Sequence, residues 1–394
     1  MRSVLLLAWR YVAYNRVKTA ILTVCLTLTI LLPLATQEII SHYDADLRAR
    51  AAATPLVVGA KGNRFDLALK ALYFTPAPLD PVYMSEYEWL LDPPIEGLRL
   101  EPIPLELSFT ARGHPVVGTG PEYFDFRGLR VERGRLFQRI GQCVLGARVA
   151  AELKLGPGDS LFSDQRRLYD FAGTYPLKMQ VVGVLAHSDG PDDRAVFVDY
   201  KTCWIMAGLS HGHGDVTRAD PNSGLILARS QEEVRTVPGI VEYNEVTDEN
   251  FASFHTHAAP DRLPLSAIIV VPADSKSATI LRGRYATPDL PTQLLVAAEV
   301  VDELMRRVFE IQRFFNAAFV LVGLSTILFV ALIIMLSQRL RRREMETLHK
   351  LGASRAMTVW LRVAEFAIIF ALAHGAAALL AWAAVLAAPR IVGL

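Results

Sequence analysis

"RLRRREMETLHKLGASRAM", residues 339–357, stands between two long apolar stretches. A loop that only reversed the chain would need neither its basic density nor its apolar spacing. Met345, Leu348 and Leu351 fall at i, i+3 and i+6, one apolar stripe on a short helix. Arg341, Arg342 and Arg343 mark the entry of that helix, and Gly352 offers a C-terminal stop. A solvated loop accounts for the arginines but not for the stripe. The stretch therefore predicts a small helix that presses against something on its own side of a membrane.

The flanking stretches supply the membrane. A helix needs about 20 apolar residues to cross a bilayer core. "FFNAAFVLVGLSTILFVALIIMLS" (314–337) and "FAIIFALAHGAAALLAWAAVLAA" (366–388) meet that length, and "TAILTVCLTLTILLPLAT" (19–36) comes close to it. None carries Asp, Glu, Lys or Arg. Ahead of the first lies "RSVLLLAWRYVAYNRVK", in which Trp9, Tyr11 and Tyr14 alternate with Arg10, Arg16 and Lys18. That pattern suits a helix lying in the interface before a retained span, rather than the short n-region of a cleaved signal peptide. His374 in the third span is flanked by small residues, which points to close helix packing.

Basic residues set the orientation. Arg2, Arg10, Arg16 and Lys18 precede the first span, and Arg339 to Arg362 include seven basic residues between the second and third. The positive-inside rule places both groups in the cytoplasm and the long middle region outside. The expected organisation is an interfacial helix (1–18), span 1 (19–37), an outer α/β domain with a helical stalk (38–312), span 2 (313–337), a cytoplasmic coupling segment (338–361), span 3 (362–388) and a tail (389–394). The fold class is a membrane protein with an α-helical transmembrane region and a large extracytoplasmic α/β domain inserted between spans 1 and 2.

Composition excludes several functions. The formal charge of +1 gives no bulk attraction to nucleic acid. The three cysteines lack zinc spacing, and the sequence leaves open whether Cys143 and Cys203 pair. There is no GxxxxGK[ST] phosphate loop and no HExxH, so no enzyme activity and no catalytic residue is expected. Asp192 and Asp193 sit in a turn, where Asp is favoured for backbone reasons.

The outer region mixes strands and helices. "KMQVVGVL" (178–185), "RAVFVDY" (194–200), "GLILARS" (224–230), "GIVEYNEV" (239–246) and "LSAIIVVPA" (265–273) read as strands. "FDLALKALYF" (65–74) and "GARVAAELKL" (146–155) read as helices. Its length predicts two lobes. Both ends read as helix continuing into the spans, the second over "PTQLLVAAEVVDELMRRVFEIQRFF" (291–315), which would form a stiff stalk. "HGHGD" offers His211, His213 and Asp215, and "FHTH" offers His255 and His257. Imidazoles with a carboxylate suit zinc, and an H-x-H pair in a strand points both rings to one face.

In order and in motif the chain resembles the FtsX/MacB-like ABC transporter permease family. "RRREMETLHKLGASRAMTVWLRVAEFAII" (341–369) is similar to that family's segment after its second span. "VLGARVAAELKLGPGDSL" (144–161) with "MQVVGVLAHSDGPDDRAVFVD" (179–199) is similar to its MacB-like periplasmic core domain. The resemblance implies a permease in a bacterial inner membrane, working as a homodimer among membrane lipids with a cytoplasmic ABC ATPase that binds the ATP. Arg343, Glu344, Met345, Leu348, Leu351, Gly352, Ala353 and Ser354 would dock on that ATPase. Its motion would reach the outer domain and drive export, extraction or activation of a periplasmic partner protein. The family implies a fourth span, where this sequence shows three. The alternative is a membrane signalling protein whose outer domain senses a ligand such as a metal.

Overall fold

The structure is a computed structural model. It describes residues 2–165, 176–213, 226–229, 234–236, 243–256, 258–340, 346–347, 350 and 354–391. The chain divides into two compact units, Met1–Ala49 with Glu303–Leu394, and Arg50–Asp302.

The first unit is helical. Its elements are Arg2–Tyr14, the apolar part of Arg16–Ala52, the apolar part of Ala297–Leu340, and Arg355–Ile391. Three of these helices are long and apolar enough to cross a membrane. A helix bonds its backbone internally, which hydrocarbon requires. Val12, Leu22 and Ile369 form a small buried cluster, joined by Leu26, Val330 and Ile333. Ala373, Ala377 and Ala381 are buried at four-residue spacing, so small side chains let another helix approach. The Thr27 hydroxyl donates to the Ala373 carbonyl at 3.4 Å, and the Thr29 and Thr326 hydroxyls lie 3.0 Å apart. His374 is exposed and rests 4.2 Å from the Phe370 ring. The alanines rather than the histidine make the close contact. Lys18 ties three helices, with Nζ 3.0 Å from Ser337 Oγ and 3.5 Å from the buried Glu365.

The second unit is built on a ten-stranded sheet. Across it run Thr292–Leu295, Leu56–Ala60, Ala267–Pro272, Leu100–Ala111, His114–Thr119, Val196–Asp199, Gln142–Leu145, Lys178–Leu185 and Val131–Gly134, with Ser160–Phe162 also on Lys178–Leu185. His114–Thr119 is parallel to Val196–Asp199, and Gln142–Leu145 is parallel to Lys178–Leu185; the other pairings are antiparallel. Instead of two lobes there is one continuous sheet with two core clusters. One holds Val116, Leu145, Val149, Val181 and Val198; the other holds Val58, Leu90, Leu265, Ile268 and Leu281. Cys143 and Cys203 are free, buried thiols of the first cluster, and burial pushes both thiol pKa values up, which makes them unreactive.

Several elements match the sequence expectation and some depart from it. Arg64–Tyr73 is a helix capped by Asn63, whose side chain accepts from Phe65 N at 3.0 Å. Ala147–Leu153, Lys178–Leu185, Val196–Asp199, Ile226–Arg229 and Ala267–Pro272 form as read. Thr292–Leu295 is a strand, not the start of the stalk helix. It pairs with Leu56–Ala60 from Val57↔Leu295 to Ala60↔Thr292, a partner no local pattern reveals. Of the expected strand 239–246, the described part forms only an isolated bridge from Glu245 to Lys178. Lys178–Leu185 and Val196–Asp199 are separated by Gln142–Leu145, so the turn between them is not a hairpin. The unit's entry strand Leu56–Ala60 and exit strand Thr292–Leu295 are sheet neighbours; each adjoins a long apolar helix in sequence.

Gly146 is needed for space. Its φ of −63° suits any residue, but a Cβ there would lie 2.3 Å from the Asp192 carbonyl oxygen and 2.5 Å from that of Asp193. The helix Ala147–Leu153 thus starts hard against the turn that carries both aspartates. Gly146→Ala is expected to cost about 1–3 kcal/mol through overpacking. Thermal melting of the full chain in detergent checks this; an unchanged midpoint would contradict the close approach.

Candidate functional site

The last turn of the Arg16–Ala52 helix presents Arg50. Its guanidinium forks onto Asp192, with Nη1 2.6 Å from Oδ2 and Nη2 3.1 Å from Oδ1. Nη2 also donates to Tyr123 Oη at 3.1 Å, and Tyr123 Oη donates to Asp192 Oδ1 at 2.7 Å. Nε donates to the Leu72 carbonyl. The Phe74 ring centroid lies 5.7 Å from the guanidinium carbon. Side-chain exposure is only 12% for Arg50 and 4% for Asp192, so the pair is removed from water. A bidentate arginine–carboxylate pair is directional as well as strong, and a planar fork fixes the angle of the chain that carries it.

The electrostatics follow from this geometry. Burial raises the Asp192 pKa, but the Arg50 charge and the bonds from Arg50 and Tyr123 outweigh it, leaving Asp192 below the ordinary carboxylate range. Burial, then the Asp192 charge, push the Tyr123 phenol up, so it stays a donor. Asp193 does what a turn aspartate does. Its Oδ1 accepts from Ser188 N and Oγ, both at 2.8 Å, and its Oδ2 accepts from Asp189 N at 3.1 Å. The turn reading was therefore right for Asp193 and incomplete for Asp192. Arg50 and Asp192 are 142 positions apart, and nothing near either marks the pairing.

A second cluster brings two histidine motifs together. The strands Ser210–His211 and His255–Thr256 pair antiparallel, with His211 opposite His255. His213 follows at i+2. The ring centroids are 4.8 Å apart for His211 and His255, 5.1 Å for His213 and His255, and 5.9 Å for His211 and His213. One ligand nitrogen from each lies within 4.8 Å of the others. His255 Nδ1 is 2.9 Å from the Ser253 carbonyl. A carbonyl only accepts, so Nδ1 carries the proton and Nε2 of the neutral ring carries the lone pair. Asp215 and His257 lie outside the described residues.

Of the expected coupling residues, Arg343, Glu344, Met345, Leu348, Leu351, Gly352 and Ala353 also lie outside the described residues. Ser354 begins the next helix. Its Oγ accepts from Met357 N at 3.2 Å, an N-cap for Arg355–Ile391.

The Asp192 ion pair has a pH signature. A carboxylate with a lowered folded-state pKa contributes stability that is present above the unfolded value of about 3.9 and lost as pH falls through the folded value. Asp192→Asn should lower stability at neutral pH by about 3–5 kcal/mol, because Arg50 is left buried without its counter-charge. The gap between variant and parent should narrow as pH drops below about 4. Melting curves of both chains across pH check this; a gap that does not depend on pH would count against the pairing.

Residues 73–238, which include Tyr123 and Asp192, match the family model described as MacB-like periplasmic core domain. Two solved structures are similar to the chain. The periplasmic region of MacB from Actinobacillus actinomycetemcomitans is 12% identical, with 64% of this chain and 92% of that one covered, at a TM-score of 0.33. The extracellular domain of the noncanonic ABC-type transporter YknZ from Gram-positive bacteria is 14% identical, with 61% and 98% covered, at a TM-score of 0.32. No curated protein sequence matches the chain. Residues 73–238 are therefore a MacB-like periplasmic core domain.

Proposed function

We propose that the chain is the membrane-spanning permease subunit of an ABC transporter, moved by a separate ATPase. The carrying observation is the MacB-like core domain inserted between long apolar helices. In this reading the chain lies in a bacterial inner membrane with its core domain in the periplasm. Two copies pair and bind two cytoplasmic ATPase subunits through residues 343–354. The ATPases bind and hydrolyse the ATP; this chain contributes no catalytic group. Closure of the ATPases pushes the segment after the second span, and the spanning helices carry the push outward. The output is a shape change of the periplasmic domain that exports or extracts a cargo, or activates a periplasmic partner.

The signalling alternative draws on the histidine cluster, a place where an outer ligand could be sensed. It needs no ATPase, and that separates the two. The full chain should co-purify with a P-loop ATPase encoded beside it and raise that enzyme's ATP turnover. Leu348→Asp combined with Leu351→Asp should reduce co-purification at least about tenfold, since burying two carboxylates in an apolar groove costs several kcal/mol. A complex that survives the double substitution unchanged would refute docking through this helix.

A further inference from the structure

We propose that His211, His213 and His255 form a three-histidine site for a zinc-class divalent ion. The proposal stands apart from the permease reading and does not need it.

The donor set comes first. Three imidazoles converge from two paired strands, and their ligand nitrogens lie within 4.8 Å of one another. A tetrahedral zinc with bonds of about 2.0–2.1 Å needs its nitrogens about 3.4 Å apart. Ring rotation within the cluster closes that difference without moving the strands. Imidazole selects zinc and its borderline neighbours over calcium or magnesium, which take oxygen ligands. Among the described residues the site has three protein ligands, and a tetrahedral ion takes a fourth.

The support around the donors is also in place. The Ser253 carbonyl, 2.9 Å from Nδ1, holds the His255 ring. Gly212 separates the two histidines of the H-x-H pair. A Cβ there would lie 2.7 Å from Cδ2 of Phe254, so only glycine lets that aromatic ring cover the other face of the strand. Phe254 in turn packs on the larger core cluster. The Gly212 carbonyl accepts from Tyr243 N at 2.8 Å, and Lys178 bonds Glu245 at 2.8 Å and, through its backbone, Asn244 at 2.7 Å. Both histidine segments are thus anchored to the sheet, and the rings occupy the face that Phe254 does not. An ion here would clip together two segments about forty residues apart in sequence, and a clip across so long a separation restrains the unfolded chain strongly.

The test uses the full chain in detergent, purified without a polyhistidine tag and stripped of metal. Zinc is titrated against a chromophoric chelator, and cobalt(II) is added separately as a spectroscopic probe. The expected result is one zinc per chain, the visible bands of tetrahedral cobalt, and a higher melting temperature with zinc. His211→Ala, His213→Ala and His255→Ala should each weaken zinc binding by about 10–100-fold and remove the cobalt bands. His187→Ala, at a different turn, should leave both unchanged. Where an alanine variant melts early without metal, the corresponding His→Asn variant carries the same comparison. Zinc uptake below about a tenth of an equivalent, or histidine variants that bind like the parent, would overturn the proposal.

Discussion

The buried fork between Arg50 and Asp192 is the constraint on which the start of the sheet unit depends. Here the arginine reaches three different parts of the domain: the turn at Pro191–Arg194, the helix residue Tyr123 and the carbonyl of Leu72. Removing either charge leaves the other desolvated, so the fork is held by what its loss would cost as much as by attraction. Gly146 makes the same turn reachable from the neighbouring helix.

The last strand of the sheet unit is held differently. Thr292–Leu295 is an edge strand that pairs with Leu56–Ala60. The helical unit uses a third means, small residues and hydroxyl contacts, with Lys18 joining Ser337 and Glu365. Much of its remaining surface is apolar and exposed, Val320, Leu324, Ile327 and Leu328 among it, as expected for helices that face lipid or a second copy.

How much of this the sequence reveals depends on the range of the interaction. Apolar runs of about 20 residues announce themselves, because length and composition alone decide a span. Local alternation identifies Lys178–Leu185 and Val196–Asp199, yet Gln142–Leu145 intervenes between them, since pairing is set by long-range packing. "TQLL" reads as helix beside "VAAEVVDEL" because its strand character comes wholly from Leu56–Ala60. Both histidine motifs are visible, and their meeting is not, because the antiparallel pairing of His211 with His255 joins segments far apart in sequence. The Arg50–Asp192 pair leaves no local trace at all: one partner ends a helix and the other looks like any turn aspartate.

The most direct measurement is a double-mutant cycle on this pair. Arg50→Met, Asp192→Leu and the combined variant are made in the full chain, and unfolding free energies are compared at neutral pH. The account predicts that each single change is strongly destabilising and that the double variant recovers much of the loss, with a coupling of about 2–3 kcal/mol. A coupling below about 0.5 kcal/mol would mean the two side chains act independently, and the fork would not hold the sheet unit as described.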